Sequence, residues 1–174
     1  LGLAALFWLG GARVVRDFRH EELYHPFSAS ARAEASELRG LLHGKKFLSS
    51  ALLGYGLAPF TLGSPLAVPP GHASPVHPFA ERERDARLAL RENSHACWAY
   101  LFARYPDLRF LVTPAPGARV ERRLWAREVE GSSPEQIRRG LAQWGAARPV
   151  HAGRHFVVDA LDPGALAGAG AACP

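Results

Sequence analysis

The stretch Leu108–Arg119, LRFLVTPAPGAR, decides between two folds for this chain of 174 residues. Its apolar run at 110–112 has the aromatic and β-branched composition of a short buried strand, and HFVVDAL at 155–161 has the same character. Two such strands with helices between them would form an α/β unit, with strands near 108–113 and 155–160. Runs this short also fit single helical turns, because periodicity does not separate the two structures. We therefore expect a mainly α fold and keep α/β as the alternative.

The segment between the two runs, RRLWAREVEGSSPEQIRRGLAQW at 122–144, predicts a capped helical hairpin. Ser133 can accept from the first N–H groups of a helix, Pro134 suits its first position, and Gln136 can complete a capping box. Gly131 is suited to end the preceding helix in a left-handed conformation. Apolar residues fall at helical spacing on both sides of the turn, namely Val120, Leu124, Trp125, Val129, Ile137, Leu141 and Trp144. This spacing predicts two helices packed on each other, with the tryptophans in their core or at a partner interface.

Changes in amino-acid composition along the chain predict four regions. They are an apolar N-terminal region at 1–63, a Pro-rich linker at 64–80, a helical domain at 81–162 and a flexible tail at 163–174. Two apolar stretches, residues 1–15 and 47–68, indicate possible membrane association. Prolines and glycines interrupt the second stretch, which favours an irregular, partly buried connector over a membrane span.

Positive charge concentrates in the C-terminal half. The formal net charge is +5, and residues 104–154 contain ten arginines against five acidic residues. Such a basic face suits nucleic acid, and a solvated helix face with i,i+4 charge pairs is the alternative. The expected nucleic-acid-binding residues are Arg119, Arg122, Arg123, Arg138 and Arg139.

The cysteine pattern favours a reducing compartment. Cys97 and Cys173 lie far apart, so they predict neither a disulfide framework nor a metal site. We therefore expect a cytoplasmic protein, with membrane association as the alternative.

No stretch of the sequence carries a complete catalytic motif. His155 with Asp159 and Asp162 could form an acid–base cluster, and His151 with His155 could form a metal pair on a helix, but neither has a third partner. In an α/β hydrolase-like fold, Ser49 or Ser50 would be the nucleophile and His155 the base. The G-x-S-x-G elbow is missing around both serines. The sequence therefore assigns no catalytic residue, metal or cofactor.

A longer pattern runs through residues 88–157. It consists of R-x-x-W-A, a glycine, E-Q-I-x-x-G-L, a proline-containing turn and a phenylalanine, at Trp125, Ala126, Gly131, Glu135, Gln136, Ile137, Gly140, Leu141, Pro149 and Phe156. In these positions the chain resembles the replication protein P family of lambda-like phages.

The resemblance implies a non-enzymatic DNA-replication adaptor of the helicase-loader type. Such a protein binds a replicative helicase and DNA, and uses binding energy to hold the helicase ring in a state that admits DNA. Tryptophan and apolar side chains often carry interfaces, so the expected partner-binding residues are Trp125, Trp144, Ile137 and Leu141. The alternatives are a membrane-associated accessory subunit and an α/β hydrolase-like domain.

Overall fold

The computed structural model describes residues 27–69, 79–167 and 173, and its centre is a mixed five-stranded β-sheet. The strands are β1 (Lys46–Leu48), β2 (Ser64–Pro65), β3 (Leu108–Pro114), β4 (Ala147–Ala152) and β5 (Phe156–Leu161). Their order in the sheet is β2-β1-β3-β5-β4. The prediction of a mainly α fold is therefore wrong, and the α/β alternative is confirmed.

Seven α-helices surround this sheet within the described ranges. They are α1 (Ala29–Glu37), α2 (Arg39–Leu42), α3 (Ala51–Thr61), α4 (Phe79–Glu92), α5 (His95–Arg104), α6 (Arg119–Ala126) and α7 (Pro134–Gln143). A short 3-10 helix, Pro163–Leu166, follows β5. Serine side chains cap three of the α-helices by accepting a backbone N–H in the first turn: Ser28 caps α1, Ser94 caps α5 and Ser133 caps α7.

The strands have partners that are distant in sequence, which explains the wrong prediction. β1 pairs in parallel with β2 and with β3, and β5 pairs antiparallel with β3 and β4. The backbone groups of 110–112 are thus satisfied by residues 47–48 on one side and 158–160 on the other. The local spacing of apolar residues does not indicate which distant strands will pair. The expected irregular region and the first residues of the expected linker contribute β1 and β2 to the same sheet.

The hairpin prediction agrees with the structure at its turn. Ser133 Oγ accepts from the Gln136 N–H at 3.2 Å, and Gln136 Oε1 accepts from the Ser133 N–H at 2.7 Å, which completes the capping box. Gly131 has a φ of 86°. The first helix of the pair, α6, ends at Ala126, earlier than the glycine predicted to end it.

The two cysteines form a disulfide, Cys97–Cys173, across a sequence separation of 76 residues. This corrects the expectation that they are unpaired, and the pairing removes the argument for a reducing compartment. Separation alone could not reveal it, because the fold after β5 returns the chain to α5, against which the 3-10 helix packs.

The apolar stretch 47–68, one of the two with a predicted membrane association, folds into short elements. This stretch forms part of β1, then α3 and β2, and α3 is 11 residues long with Pro59 inside it. Among the residues placed by the structure, no helix is both long and apolar enough to cross a bilayer. Residues 1–15 lie outside the described residues.

Strand ends and helix starts meet at one edge of the sheet. β1 and β3 are parallel and end there, and antiparallel β5 begins there, since Pro114 pairs with Phe156. We call this end the carboxyl edge. Helices α3 and α6 follow β1 and β3, so both begin at the carboxyl edge, and α1 begins there too because its first turn contacts His155. In open α/β sheets this edge is where ligands usually bind.

Candidate active site

Three side chains from three separate elements form a continuous chain of contacts at the carboxyl edge. Ser30 Oγ lies 2.9 Å from Nε2 of His155, and Nδ1 of the same ring lies 3.2 Å from Oε1 of Glu121. With its proton on Nδ1, the imidazole donates to the carboxylate and accepts from the serine hydroxyl. This is the arrangement of nucleophile, base and orienting carboxylate found in serine hydrolases.

Exposure to solvent increases from Glu121 through His155 to Ser30. The Glu121 side chain is 2% exposed, the His155 side chain is 13% exposed, and Ser30 is an exposed residue. A buried carboxylate holds the ring in one orientation, and an exposed hydroxyl is open to a substrate. The contact chain therefore begins in the protein interior at Glu121 and reaches solvent at Ser30.

Ser30 occupies the first turn of α1, where helix capping determines its surroundings. Ser28 caps the helix, since its Oγ accepts from the Ala31 N–H at 3.1 Å and its carbonyl accepts from Arg32 N. Ser28 Oγ also lies 3.0 Å from Ser30 Oγ. If Ser30 donates to the imidazole, Ser28 can donate to Ser30 and complete the local network.

The first turn of α1 also supplies unused backbone donors. The opening N–H groups of an α-helix have no acceptor within the helix. Ser28 takes those of Ala31 and Arg32, which leaves the N–H groups of Ala29 and Ser30 without an acceptor among the described residues. Both donors belong to the same first turn as Ser30, at the positive end of the helix dipole, where a negative oxygen would be stabilised.

Glu34 holds the hairpin that carries His155. Its carboxylate accepts from three successive backbone N–H groups, those of Arg154 at 3.0 Å and of His155 and Phe156 at 2.9 Å each. His151 Nε2 lies 3.4 Å from the same carboxylate. Glu34 is one helical turn after Ser30, so α1 positions both the hydroxyl and the support of the ring that faces it.

The contacts of Glu34 with the hairpin require glycine at position 153. A Cβ at Gly153 would lie 2.0 Å from Glu34 Oε1 and 2.6 Å from His151 Nε2. The turn between β4 and β5 can therefore enclose the carboxylate only because residue 153 has no side chain. The edge-to-face contact of Phe27 with Phe156, at 5.5 Å between ring centroids, further joins the start of α1 to the start of β5.

A second polar cluster lies at the start of α3 on the same edge. Ser49 Oγ donates to the Val112 carbonyl at 2.8 Å, and Ser50 is buried at the N-cap of α3 without capping it. The Glu128 carboxylate instead accepts from the Leu52 N–H at 2.8 Å. Burial raises the pKa of Glu128, while this N–H opposes the shift.

The structure separates the roles that the sequence suggested for these residues. His155 has a serine partner, but that serine is Ser30 and not Ser49 or Ser50, which are both 2% exposed. Asp159 is bound by Arg138, and Asp162 accepts from the Gly164 N–H, so neither contacts His155. His151 and His155 lie in a β-hairpin and not on a helix.

The predicted nucleic-acid-binding arginines divide into two groups. Arg122 forms an ion pair with Glu135, and Arg138 binds Asp159 through Nε at 2.6 Å and through a second nitrogen at 3.1 Å. The other three, Arg119, Arg123 and Arg139, are exposed and have no acidic partner in the described part of the chain. DNA binding by these residues stays a prediction.

The predicted partner-binding residues are mostly core residues. Trp125, Ile137 and Leu141 are buried, so they cannot contact a partner unless the fold opens. Trp144 is half-buried at the end of α7, and its ring meets that of His95 edge to face at 5.5 Å. Of the four, Trp144 alone keeps some surface for a partner in the described structure.

Sequence reasoning missed Ser30, Glu121 and Glu34. Glu121 is one of the five acidic residues of 104–154, with nothing local to distinguish it, and Ser30 lies within a stretch that has the pattern of an ordinary helix. The available signal was weak: a serine in the first turn after a serine N-cap, S-A-S at 28–30, with an acid four residues further on.

Comparison with protein-family models, with curated proteins and with solved structures finds no match to this chain.

Proposed function

We propose that this protein is a serine-dependent acyl hydrolase that cleaves esters at Ser30. The observation that carries the proposal is the contact chain Ser30–His155–Glu121 at the carboxyl edge, with distances of 2.9 Å and 3.2 Å. Residues 30, 121 and 155 are distant in sequence and come together at the carboxyl edge, the end of the sheet at which open α/β folds usually bind ligands.

The first half of the reaction would acylate the enzyme. Ser30 Oγ attacks the carbonyl carbon of the ester while His155 Nε2 accepts the hydroxyl proton, so the Oγ–C bond forms and the carbonyl π electrons move to oxygen. The N–H groups of Ala29 and Ser30 stabilise this oxyanion. Its collapse breaks the C–O bond of the ester, and His155 returns the proton to the departing alcohol.

The second half would restore the serine. A water molecule attacks the acyl carbon, His155 accepts a proton from it, and collapse breaks the Oγ–C bond to release the carboxylic acid. The proton returns to Ser30 Oγ. Throughout, the buried Glu121 carboxylate stabilises the imidazolium that forms transiently and keeps the ring in its productive tautomer.

The disulfide supports a location outside a reducing cytoplasm. Disulfides persist mainly in oxidising compartments, and Cys97–Cys173 connects residues at the two ends of the C-terminal half. We propose an oxidising compartment in place of the cytoplasm that the cysteine spacing suggested.

The decisive experiment is labelling with a fluorophosphonate, which transfers its phosphonyl group to an activated serine with loss of fluoride. We expect one label on the wild-type protein, located at Ser30 by peptide mass spectrometry, and hydrolysis of 4-nitrophenyl acetate above background. Ser30→Ala and His155→Ala should abolish both signals.

Ser36→Ala is the matched control for this experiment. Ser36 is an exposed serine on the same helix, and its hydroxyl donates to the Arg32 carbonyl. It should leave labelling and hydrolysis unchanged. Absence of any label at Ser30, in a protein with a cooperative unfolding transition, would refute the proposal.

The adaptor function implied by the resemblance remains a second proposal. It is supported by the half-buried Trp144 and by the exposed Arg139, which both lie on or next to α7. A pull-down that recovers a replicative helicase with the wild-type chain, and fails with Trp144→Ala at unchanged thermal stability, would support it. Recovery of no replication protein would count against it.

A further inference from the structure

Ser28 makes two contacts through its hydroxyl, and only one of them caps α1. Its Oγ accepts from the Ala31 N–H at 3.1 Å, which is the cap, and lies 3.0 Å from Ser30 Oγ. A hydroxyl has one proton to donate and two lone pairs that accept. Ser28 can therefore accept from Ala31 and at the same time donate to Ser30.

The buried carboxylate of Glu121 determines which of the two serines donates. An ionised carboxylate only accepts, so Nδ1 of His155, 3.2 Å from Glu121 Oε1, carries the proton of the neutral ring. Nε2 is then an acceptor, and Ser30 donates its only proton to it across 2.9 Å. The proton between the two serine oxygens therefore belongs to Ser28.

This order leaves one side-chain donor for the nucleophilic oxygen. In the part of the chain that the structure describes, Ser28 and His155 are the side chains within hydrogen-bond distance of Ser30 Oγ. His155 withdraws the proton of Ser30, whereas Ser28 donates to the oxygen that loses it. The two contacts therefore act on the same atom in complementary ways.

We propose that the Ser28 hydroxyl assists the reaction at Ser30 by donating a hydrogen bond to Oγ and stabilising the negative charge that develops there. This charge develops when the proton moves to His155 and the Oγ–C bond is still forming. It develops again when the Oγ–C bond of the acyl enzyme breaks. Ser28 keeps its own proton in both steps. The inference rests on the proposed hydrolase function and adds a donor to the contact chain.

Two substitutions separate donation from capping: Ser28→Gly and Ser28→Asp. Glycine and aspartate are both tolerated at a helix N-cap, and neither has a side-chain proton to donate at neutral pH. We expect each variant to lower kcat for 4-nitrophenyl acetate about tenfold with little change in KM, because the lost bond stabilises charge that is present only in the transition state. The rate of fluorophosphonate labelling at Ser30 should fall by a similar factor.

Two further variants serve as rescue and control. Ser28→Thr keeps a hydroxyl that caps and donates, so it should restore most of the rate. Ser94→Gly is the matched control, because Ser94 caps α5 by accepting from the Cys97 N–H at 3.2 Å and makes no contact with the site. It should leave kcat and labelling unchanged.

The outcomes distinguish this inference from the hydrolase proposal. An unchanged kcat in either Ser28→Gly or Ser28→Asp, with hydrolysis still lost in Ser30→Ala, would overturn the role of Ser28 and leave the hydrolase standing. A Ser28→Thr variant as slow as Ser28→Gly would do the same. Absence of both Ser30-dependent hydrolysis and fluorophosphonate labelling in the wild-type protein would overturn both.

Discussion

Replacing Gly153 by alanine should disable the site without touching any of its three proposed catalytic side chains. The added Cβ would lie 2.0 Å from Glu34 Oε1 and 2.5 Å from Glu34 Cδ. The clash itself is relieved easily, because the carboxylate is the far end of a flexible side chain. Its relief, however, moves the carboxylate away from the three backbone N–H groups of residues 154–156.

The magnitude follows from those three hydrogen bonds. A hydrogen bond to a charged group contributes about 1.5–3 kcal/mol when its donor is left without a substitute. The bond from the Arg154 N–H is exposed and those from His155 and Phe156 are part-buried, so water can replace part of the lost interaction. About 1 kcal/mol for each bond gives a loss of about 3 kcal/mol in the free energy of unfolding.

Two measurements check this expectation: the urea midpoint and the rate at which a fluorophosphonate labels Ser30. Both should fall in Gly153→Ala. Gly117→Ala is the matched control, because Gly117 lies in the loop after β3 and an added Cβ meets no atom within 4 Å. It should change neither value appreciably.

A double variant identifies the cause. Glu34→Ala removes the side chain that the new methyl group would strike, so Gly153→Ala should cost little more in the Glu34→Ala background. If the two losses simply add, or if Gly153→Ala behaves like Gly117→Ala, the idea that Glu34 positions His155 is refuted.

Three further outcomes are expected. Ser133→Ala should lower the free energy of unfolding by about 1 kcal/mol through loss of the α7 cap, and an unchanged denaturation midpoint would contradict that role. Burial and a hydrogen bond to Asp85 raise the pKa of Tyr105 from 10.0 to about 12. The contribution of Tyr105 to the free energy of unfolding should therefore be complete below pH 10 and decrease as the pH rises towards 12. The pH profile of Tyr105→Phe should lack this decrease. Reduction of Cys97–Cys173, which spans 76 residues, should destabilise the fold by up to about 4 kcal/mol, and a thermal midpoint insensitive to reductant would show that the bond constrains little.

The parts of the fold that were predictable are those encoded by neighbouring residues. The capping box of Ser133 and Gln136, and the helix that follows, depend on groups within one turn of each other, and both are observed. The fold class depends instead on strand pairs such as Leu48 with Leu111, which no local pattern reveals. Helical spacing also misplaces Val120: it predicts this residue on the packing face, whereas in the structure Val120 is 42% exposed.

The candidate site was less predictable because its groups are brought together only by the sheet. His155 was recognised as a base, but its serine comes from residue 30 and its carboxylate from residue 121. A serine in the first turn of a helix is ordinary in sequence. It becomes a candidate nucleophile only when the turn between β4 and β5 places an imidazole 2.9 Å away.

The two outer strands of the sheet have a consequence for how this protein behaves at high concentration. The strand at one border, β2, consists of Ser64 and Pro65, and the strand at the other, β4, carries Arg148 and Pro149 next to a register shift. An outer strand with free N–H and C=O groups can pair with another molecule and begin aggregation. Proline has no N–H to donate, and an exposed arginine repels an identical copy. Each outer strand of the described sheet therefore resists pairing with another molecule. The apolar strands β3 and β5 lie between these two outer strands and are protected from starting a fibril.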